Sequence, residues 1–290
     1  MKTRVIAGLC MVPLLLILYW GSLPLAATGA AIAIIGVTEF YNGWESLGVK
    51  PSKKIAYVMI GLLYLIHFIV FYGIRGDAFI GSKGLAETIA NEQFMSMNTT
   101  QLLNPLLMLW LVVAIVAAMM YGWKINERGA YDAIATVVGL VYVVFFSYHI
   151  VLLDRLAEGH LFTWTVILAS FGSDICAYFT GYKLGKHKLA PNLSPKKTIE
   201  GAIGGVVGAG VLCGLFGLIF AKQYILQCFF IGIVGGAFSQ AGDLTASAFK
   251  RKMGIKDYGN LIPGHGGIMD RFDSVIFVAP FVYYLVLLTV

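Results

Sequence analysis

Residues 102–121 read LLNPLLMLWLVVAIVAAMMY, a run without a single charged side chain. An apolar run of about 20 residues is long enough to cross the hydrocarbon core of a membrane as a helix. Similar runs recur along the whole chain. The predicted helices are 5–20, 22–41, 55–73, 102–121, 131–152, 161–182, 201–220, 224–249 and 274–290. The sequence therefore predicts an all-α, polytopic integral membrane protein with about nine transmembrane helices.

The composition supports a membrane protein without a separate soluble domain. The chain of 290 residues is 59% hydrophobic and 12% charged, whereas about a quarter of the residues in soluble proteins are charged. We expect a single membrane domain, 1–290, in which 1–160 form a scaffold and 161–290 carry the chemistry. The first apolar run also has the features of a secretory signal. A second run follows immediately, which favours a retained first helix.

The basic residues are distributed unevenly between the two sides of this nine-helix arrangement. Of the 21 lysines and arginines, 17 fall in the loops on the N-terminal side, and the others are Arg75, Lys83, Arg155 and Lys222. The positive-inside rule then predicts a cytoplasmic N-terminus and cytoplasmic polar loops. We expect an integral protein of a bacterial plasma membrane with its active site facing the cytoplasm. The net charge of +6 follows from this topology, and no nucleic-acid partner is expected.

The densest polar stretch is 247–273, SAFKRKMGIKDYGNLIPGHGGIMDRFD. Its cations and glycine amides are suited to phosphate oxygens, and its grouped carboxylates are suited to a hard divalent metal. Their position beside hydrophobic helices predicts phosphate chemistry on a membrane-embedded substrate.

Four aspartates are predicted to lie at one membrane depth. Asp174 and Asp243 lie within the sixth and eighth apolar runs, and Asp270 and Asp273 begin the ninth with helical i,i+3 spacing. A carboxylate inside a membrane helix costs about 2.5–3.5 kcal/mol on insertion scales, which favours a functional role over ion pairing for stability alone. Glu39, near the end of the second helix, is expected to reach water.

A second basic motif, SPKKTIEG, occupies 194–201. We expect Ser194 to cap a turn at Pro195, and the motif either binds phosphate or serves only as a positive-inside signal. Its candidate substrate-binding residues are Ser194, Lys196, Lys197, Thr198 and Glu200.

These residues resemble the phosphatidate cytidylyltransferase (CDP-diacylglycerol synthase) family. The family signature runs from a serine through Lys-Arg, Lys-Asp and His-Gly-Gly to Asp-Arg, an apolar residue and Asp. The chain meets it at every fixed position from Ser247 to Asp273. The stretches 174–201 and 239–251 are also similar to that family, whereas the N-terminal half matches only in hydropathy.

The resemblance implies transfer of CMP from CTP to phosphatidate, with release of pyrophosphate, in phospholipid biosynthesis. It implies Mg²⁺ held by Asp243 and Asp270 with Asp273 close by, a second cation (K⁺ or Mg²⁺), and a homodimer in membrane lipid. We expect Asp174 to be a ligand of the second cation or an internal hydrogen-bond anchor. The cations expected to neutralise substrate phosphates are Lys250, Arg251, Lys256 and Arg271.

The remaining signature residues have less specific expected roles. Gly266 and Gly267 could cradle the triphosphate with their amides, and His265 orients the loop or does acid–base work. Asp257 contacts cytidine or holds Lys256, and Ser247 is a further substrate-binding candidate.

Three other functions fit parts of the pattern. The enzymatic alternatives are a CTP-dependent polyprenol kinase and a synthase of CDP-linked ether lipids; the complete signature argues against a kinase. A cation or phosphate transporter would place polar residues through the membrane. Here they gather at one end of the helices, which favours an enzyme.

Overall fold

A computed structural model describes residues 13–74, 99–124, 126–262, 264 and 266–290. Residues 13–20 are helical. The named elements are α1 (Ser22–Glu45), α2 (Lys53–Phe68), α3 (Thr99–Tyr121), α4 (Ala130–Val138), α5 (Phe146–Leu153), α6 (Gly159–Leu184), β1 (Lys188–Ala190), β2 (Ser194–Thr198), α7 (Ile199–Phe220), α8 (Ile225–Lys252) and α9 (Met269–Thr289). Segments of π-helix, Ile69–Ile74 and Gly139–Phe145, follow α2 and α4.

The described helices confirm a polytopic all-α membrane protein. Eight helical spans in the described ranges are long and apolar enough to cross a membrane, and they coincide with the last eight predicted runs. The first predicted run, 5–20, lies partly outside the described residues. The helix ends after this run, because Gly21 and Ser22 have positive φ values of 58° and 52°. There the Ser22 amide donates to Asp154 Oδ2 at 2.7 Å.

A short β-hairpin between α6 and α7 was not predicted. Strands β1 and β2 pair antiparallel, with Lys188 opposite Thr198 and Ala190 opposite Ser194. The expected turn capped by Ser194 is therefore wrong, because Ser194 lies in a strand. Proline fits the following position, since both strands of a two-stranded sheet are edges. The Thr198 hydroxyl caps α7 instead, accepting from the Gly201 amide at 3.1 Å.

Close packing of α7 follows from its glycines. A Cβ on Gly205 would lie 2.9 Å from the Cβ of Ala177 in α6, and one on Gly201 would lie 2.9 Å from the Ala177 carbonyl oxygen. Small residues let membrane helices approach until their backbones touch. The glycine spacing of α7 therefore sets its distance from α6.

The chain divides into two compact units, one formed by 1–48 and 142–290 and the other by 49–141. Within the second unit, Trp110 donates from Nε1 to the Met59 carbonyl at 2.8 Å. All predicted site residues belong to the first unit. Helix α1 belongs to it as well.

An aromatic cluster fixes α1 within the first unit. Phe40 is fully buried, and its ring centroid lies 5.4 Å from that of Phe249 in α8 and 5.8 Å from those of Tyr142 and Tyr258. Edge-to-face and tilted aromatic pairs of this kind add about 0.5–1.5 kcal/mol each beyond their buried area. The cluster places the neighbouring Glu39 against the loop that joins α8 to α9.

Candidate active site

Two aspartates at the start of α9 share one lysine from the end of α8. Lys250 Nζ lies 2.9 Å from Asp270 Oδ1 and 3.9 Å from Asp273 Oδ2. The side chains are 13%, 2% and 9% exposed, respectively. Spacing of i,i+3 places both carboxylates on one face of α9, as predicted. The site is thus a buried cluster in which one cation compensates two acids.

Asp270 also binds both ends of the loop between α8 and α9. Its Oδ2 accepts hydrogen bonds from the Tyr258 amide at 2.7 Å and the Gly267 amide at 3.0 Å. The Gly267 amide thus already has an acceptor, and a triphosphate could use it only if that hydrogen bond opened. Gly264 and Gly266 have φ of 76° and 85°, a conformation that strongly favours glycine. The loop therefore takes its shape from one carboxylate and two glycine turns.

Tyr258 is the buried side chain of this loop. Its hydroxyl donates to the Ala246 carbonyl at 3.2 Å, and its ring centroid lies 5.3 Å from Lys250 Nζ. Burial, reinforced by the nearby charges of Asp273 and Asp270, raises the pKa of the Tyr258 hydroxyl. Tyr258 is therefore a neutral donor and packing group, and not a proton acceptor, at neutral pH.

Glu39 is a part of the site that the sequence analysis placed wrongly. We expected it to reach water, but it is only 8% exposed. Its Oε1 accepts from the Ile268 amide at 3.1 Å and its Oε2 from the Met269 amide at 2.8 Å. These amides begin α9 and have no partners within the helix. The signal in the sequence was an acid inside an apolar run, which is costly unless it is partnered.

A second acid–base pair connects the hairpin to α8. Lys197 Nζ in β2 forms an ion pair with Asp243 Oδ2, and the two side chains are 26% and 28% exposed. Asp174 is exposed on α6, and its carboxylate interacts electrostatically with both Asp243 and Lys197. Asp273 interacts electrostatically with Asp243 and Asp174 as well. All four predicted aspartates therefore belong to one electrostatic cluster.

Glu200 holds the hairpin in place from the first turn of α7. Its carboxylate accepts from the Lys186 amide at 3.0 Å and from His187 Nδ1 at 2.6 Å. Neither Glu200 nor Ser194 lines the cavities described below. Their predicted substrate contacts stay predictions, and the observed contacts of Glu200 are structural.

Two cavities are lined by half of the predicted substrate-binding residues. A loop cavity of about 580 Å³ is lined by Lys256, Asp257, Asn260, Ile262, Gly264, Gly266 and Arg271. A hairpin cavity of about 510 Å³ is lined by Asp174, Ala177, Tyr178, Gly181, Tyr182, Gly185, Lys188, Leu189, Lys196, Lys197, Thr198, Gly201, Ala202 and Gln240. Both volumes are sufficient for small-molecule ligands.

The remaining predicted residues lie around these cavities. Ser247 and Arg251 are one turn apart on α8, half-buried and exposed respectively. His265 lies outside the described residues. The sequence analysis missed Lys188, Tyr178 and Tyr182, which line the hairpin cavity.

The carboxylates of the predicted aspartates are chemically suitable ligands for Mg²⁺. Within the described residues, no group of three or more His, Cys, Asp or Glu side chains is arranged to hold a metal ion. Mg²⁺ commonly takes one or two carboxylates and completes its shell with water and substrate phosphates. Asp243 and Asp270 are the pair predicted for this role, and in the structure each forms an ion pair with a lysine.

Comparison with known proteins identifies the family. The phosphatidate cytidylyltransferase of Bacillus subtilis is 45% identical over 137 residues, 47% of this chain and 50% of the relative. That of Synechocystis is 44% identical over 137 residues, 47% and 46% of the two chains. That of Staphylococcus saprophyticus is 39% identical over 158 residues, 53% and 59%.

These matches cover about half the length of the curated relatives. The sequence profile described as the cytidylyltransferase family extends much further and matches residues 2–289. It therefore includes α1 as well as the loop between α8 and α9. The chain belongs to the cytidylyltransferase family.

Proposed function

We propose that the protein is a phosphatidate cytidylyltransferase that transfers CMP from CTP to phosphatidate, giving CDP-diacylglycerol and pyrophosphate. The observation that carries the proposal is the buried cluster of Lys250, Asp270 and Asp273 beside a loop cavity lined by Lys256 and Arg271. Relatives with this name share up to 45% identity in the aligned segments. Family membership and site chemistry thus point to one reaction.

The reaction joins two anions. A phosphate oxygen of phosphatidate attacks the α-phosphorus of CTP, and the bond from that phosphorus to the oxygen bridging to the β-phosphate breaks. Pyrophosphate leaves with the electron pair of the broken bond. The phosphate is already a nucleophile, so no serine or cysteine attack is needed. The protein has to bring the anions together and stabilise charge on the leaving group.

The chain supplies several groups for this task. Arg271 and Lys256 neutralise phosphates in the loop cavity, and Lys250 holds Asp270 and Asp273 in place. Asp243 and Asp270 would hold Mg²⁺, which when bound supplies charge neutralisation and orientation of the phosphates. Asp273 stands next to this pair.

The two cavities differ in the side chains that line them, and this difference supports a separate cavity for each substrate. The loop cavity has basic and polar walls with two glycine turns, which suits the triphosphate of CTP. The hairpin cavity has lysines together with Tyr178 and Tyr182, which are 68% and 81% exposed on α6. Exposed tyrosines are typical of the membrane–water interface. We assign the hairpin cavity to the phosphatidate head group.

Kinetics of matched alanine variants test this assignment. Lys256→Ala should raise the KM for CTP and leave that for phosphatidate unchanged. Lys188→Ala should do the reverse. Equal effects of both variants on both KM values would contradict the separation.

The remaining expectations complete the proposal. The site faces the cytoplasm, where CTP is available, in a plasma membrane. A second cation, K⁺ or Mg²⁺, would interact with Asp174, and the protein works as a homodimer in membrane lipid. The positive-inside asymmetry supports the orientation, and family resemblance supports the cations and the dimer.

Labelled CTP tests the function directly. Purified protein in detergent receives phosphatidate and CTP labelled at either the α- or the γ-phosphate, with Asp270→Asn as the inactive control. Label in the lipid from α-labelled CTP alone is expected. Label from γ-labelled CTP would indicate a kinase, and no labelled lipid in either case would leave the transporter as the better hypothesis.

A further inference from the structure

We propose that Glu39 is a positioning residue that fixes the start of α9 and thereby aims the carboxylate of Asp270. Its kinetic consequence rests on the proposed function, whereas its structural consequence does not. Glu39 lies in α1, far from the signature in sequence and outside every motif that the sequence analysis identified.

Both oxygens of Glu39 are used at the end of α9. Oε1 accepts from the Ile268 amide and Oε2 from the Met269 amide, at 3.1 and 2.8 Å. The side chain is 8% exposed, so water competes little for these amides. Two hydrogen bonds accepted by one rigid carboxylate fix both the position and the direction of the first turn of α9.

Asp270 is the next residue after this pair of amides. Its own Oδ2 accepts from Gly267, so three consecutive amides, 267 to 269, donate to two carboxylates. The backbone around Asp270 is therefore held on one side by its own side chain and on the other by Glu39. Loss of the Glu39 contacts would leave the Ile268 and Met269 amides without these acceptors, while the Gly267 amide would keep Asp270.

The glycines facing Glu39 explain part of the signature. A Cβ on Gly259 or Gly267 would overlap the Glu39 carboxyl group. Gly267 is not among the described glycines with positive φ, so the backbone alone does not require glycine there. The second glycine of the His-Gly-Gly motif is thus needed because Glu39 approaches it closely.

Capping of α9 alone would not require a buried acid from another helix. A Ser, Thr or Asp in the loop itself could cap α9. A buried acid from a separate helix instead ties the loop to α1, which the aromatic cluster around Phe40 already holds. We expect Glu39 to keep Asp270 accurately placed. Its loss should therefore change kcat more than the KM values.

The first test replaces Glu39 with glutamine. Glu39→Gln keeps the shape but turns an NH₂ group towards one of the two amides, so one hydrogen bond is lost. We expect kcat to fall about 100-fold, the scale of a misplacement of about 1 Å at a reacting group. The KM values for CTP and phosphatidate should stay unchanged, and amide deuterium exchange at 268 and 269 should accelerate. Glu45→Gln, an exposed position on the same helix, is the control.

A kcat equal to that of the control would overturn the inference. So would a fall in kcat without faster exchange at 268 and 269, because the effect would not pass through the start of α9. Wild-type protein that transfers no CMP would overturn the proposed function instead, and the exchange comparison would still decide whether Glu39 fixes α9.

A double-mutant cycle tests the contact with Gly267. Gly267→Ala alone should lower kcat strongly because its methyl group meets the carboxyl group. Glu39→Asp withdraws the carboxyl group by one methylene, so the double variant should retain more activity than the product of the single effects predicts. Strictly multiplicative effects would show that the two residues do not act on each other and would overturn the inference.

Discussion

Removal of the Lys250 ammonium group should destabilise the protein measurably as well as inactivate it. Lys250→Met retains a long, unbranched side chain and deletes the charge. In the structure this charge lies 2.9 Å from Asp270 Oδ1 and 3.9 Å from Asp273 Oδ2, and all three side chains are less than 15% exposed. The substitution therefore leaves two buried carboxylates without their shared cation.

The size of the effect follows from this geometry. Breaking a buried ion pair by removing one partner costs about 3–5 kcal/mol, because the other charge stays buried. An exposed pair would contribute only about 0–1 kcal/mol, so burial decides which figure applies. At about 2–4 °C per kcal/mol for a chain of this size class, the unfolding midpoint should fall by about 6–20 °C.

Thermal unfolding in detergent can be followed with a thiol-reactive dye, because Cys213 and Cys228 are buried. Lys252→Met, two residues further along α8 and exposed, is the matched control. Asp270→Asn added to Lys250→Met should cost less than the sum of the single effects, since it removes one of the stranded charges. A midpoint for Lys250→Met equal to that of the control would refute the reasoning.

Three further outcomes follow from the site. Asp243→Asn and Asp270→Asn should each remove nearly all turnover while the protein still extracts normally, and chelation should mimic them; full activity in excess chelator would contradict the metal assignment. Arg271→Lys should restore little of the activity lost in Arg271→Ala if the guanidinium grips phosphate through two parallel hydrogen bonds; strong rescue would indicate a point charge. A cysteine placed near Lys252 should be protected from impermeant reagents outside intact cells and one near Lys83 should react; the opposite result would contradict the predicted orientation.

Features that depend on a local pattern could be predicted from the sequence. The last eight apolar runs became eight helical spans because length and hydropathy decide such helices. The i,i+3 spacing of Asp270 and Asp273 was enough to place both on one face.

Features that depend on contacts between distant segments could not be predicted from the sequence. The ion pair between Lys197 and Asp243 joins a hairpin to a helix 46 positions away, and no local pattern selects that partner. The hairpin itself has strands of three and five residues, too short for an alternating pattern to appear. Glu39 was misjudged because a helix end offers water in isolation, whereas the packing of Phe40 covers it with the loop.

The acids of the site have different kinds of partners, and this difference bears on how substitutions should be interpreted. Asp243 is compensated by one lysine, Lys197, at a half-exposed position, so water can replace either partner at modest cost. Asp270 is compensated by Lys250 and by two backbone amides in a buried position, so losing its carboxylate also releases the loop. Glu39 accepts hydrogen bonds from two backbone amides and contributes geometry to the start of α9. A substitution of Asp243 that lowers activity therefore reports mainly on the loss of charge. A substitution of Asp270 combines the loss of charge with a change in the shape of the loop. Glu39 is the position at which loop shape can be changed while the lysines and aspartates of the cluster stay in place.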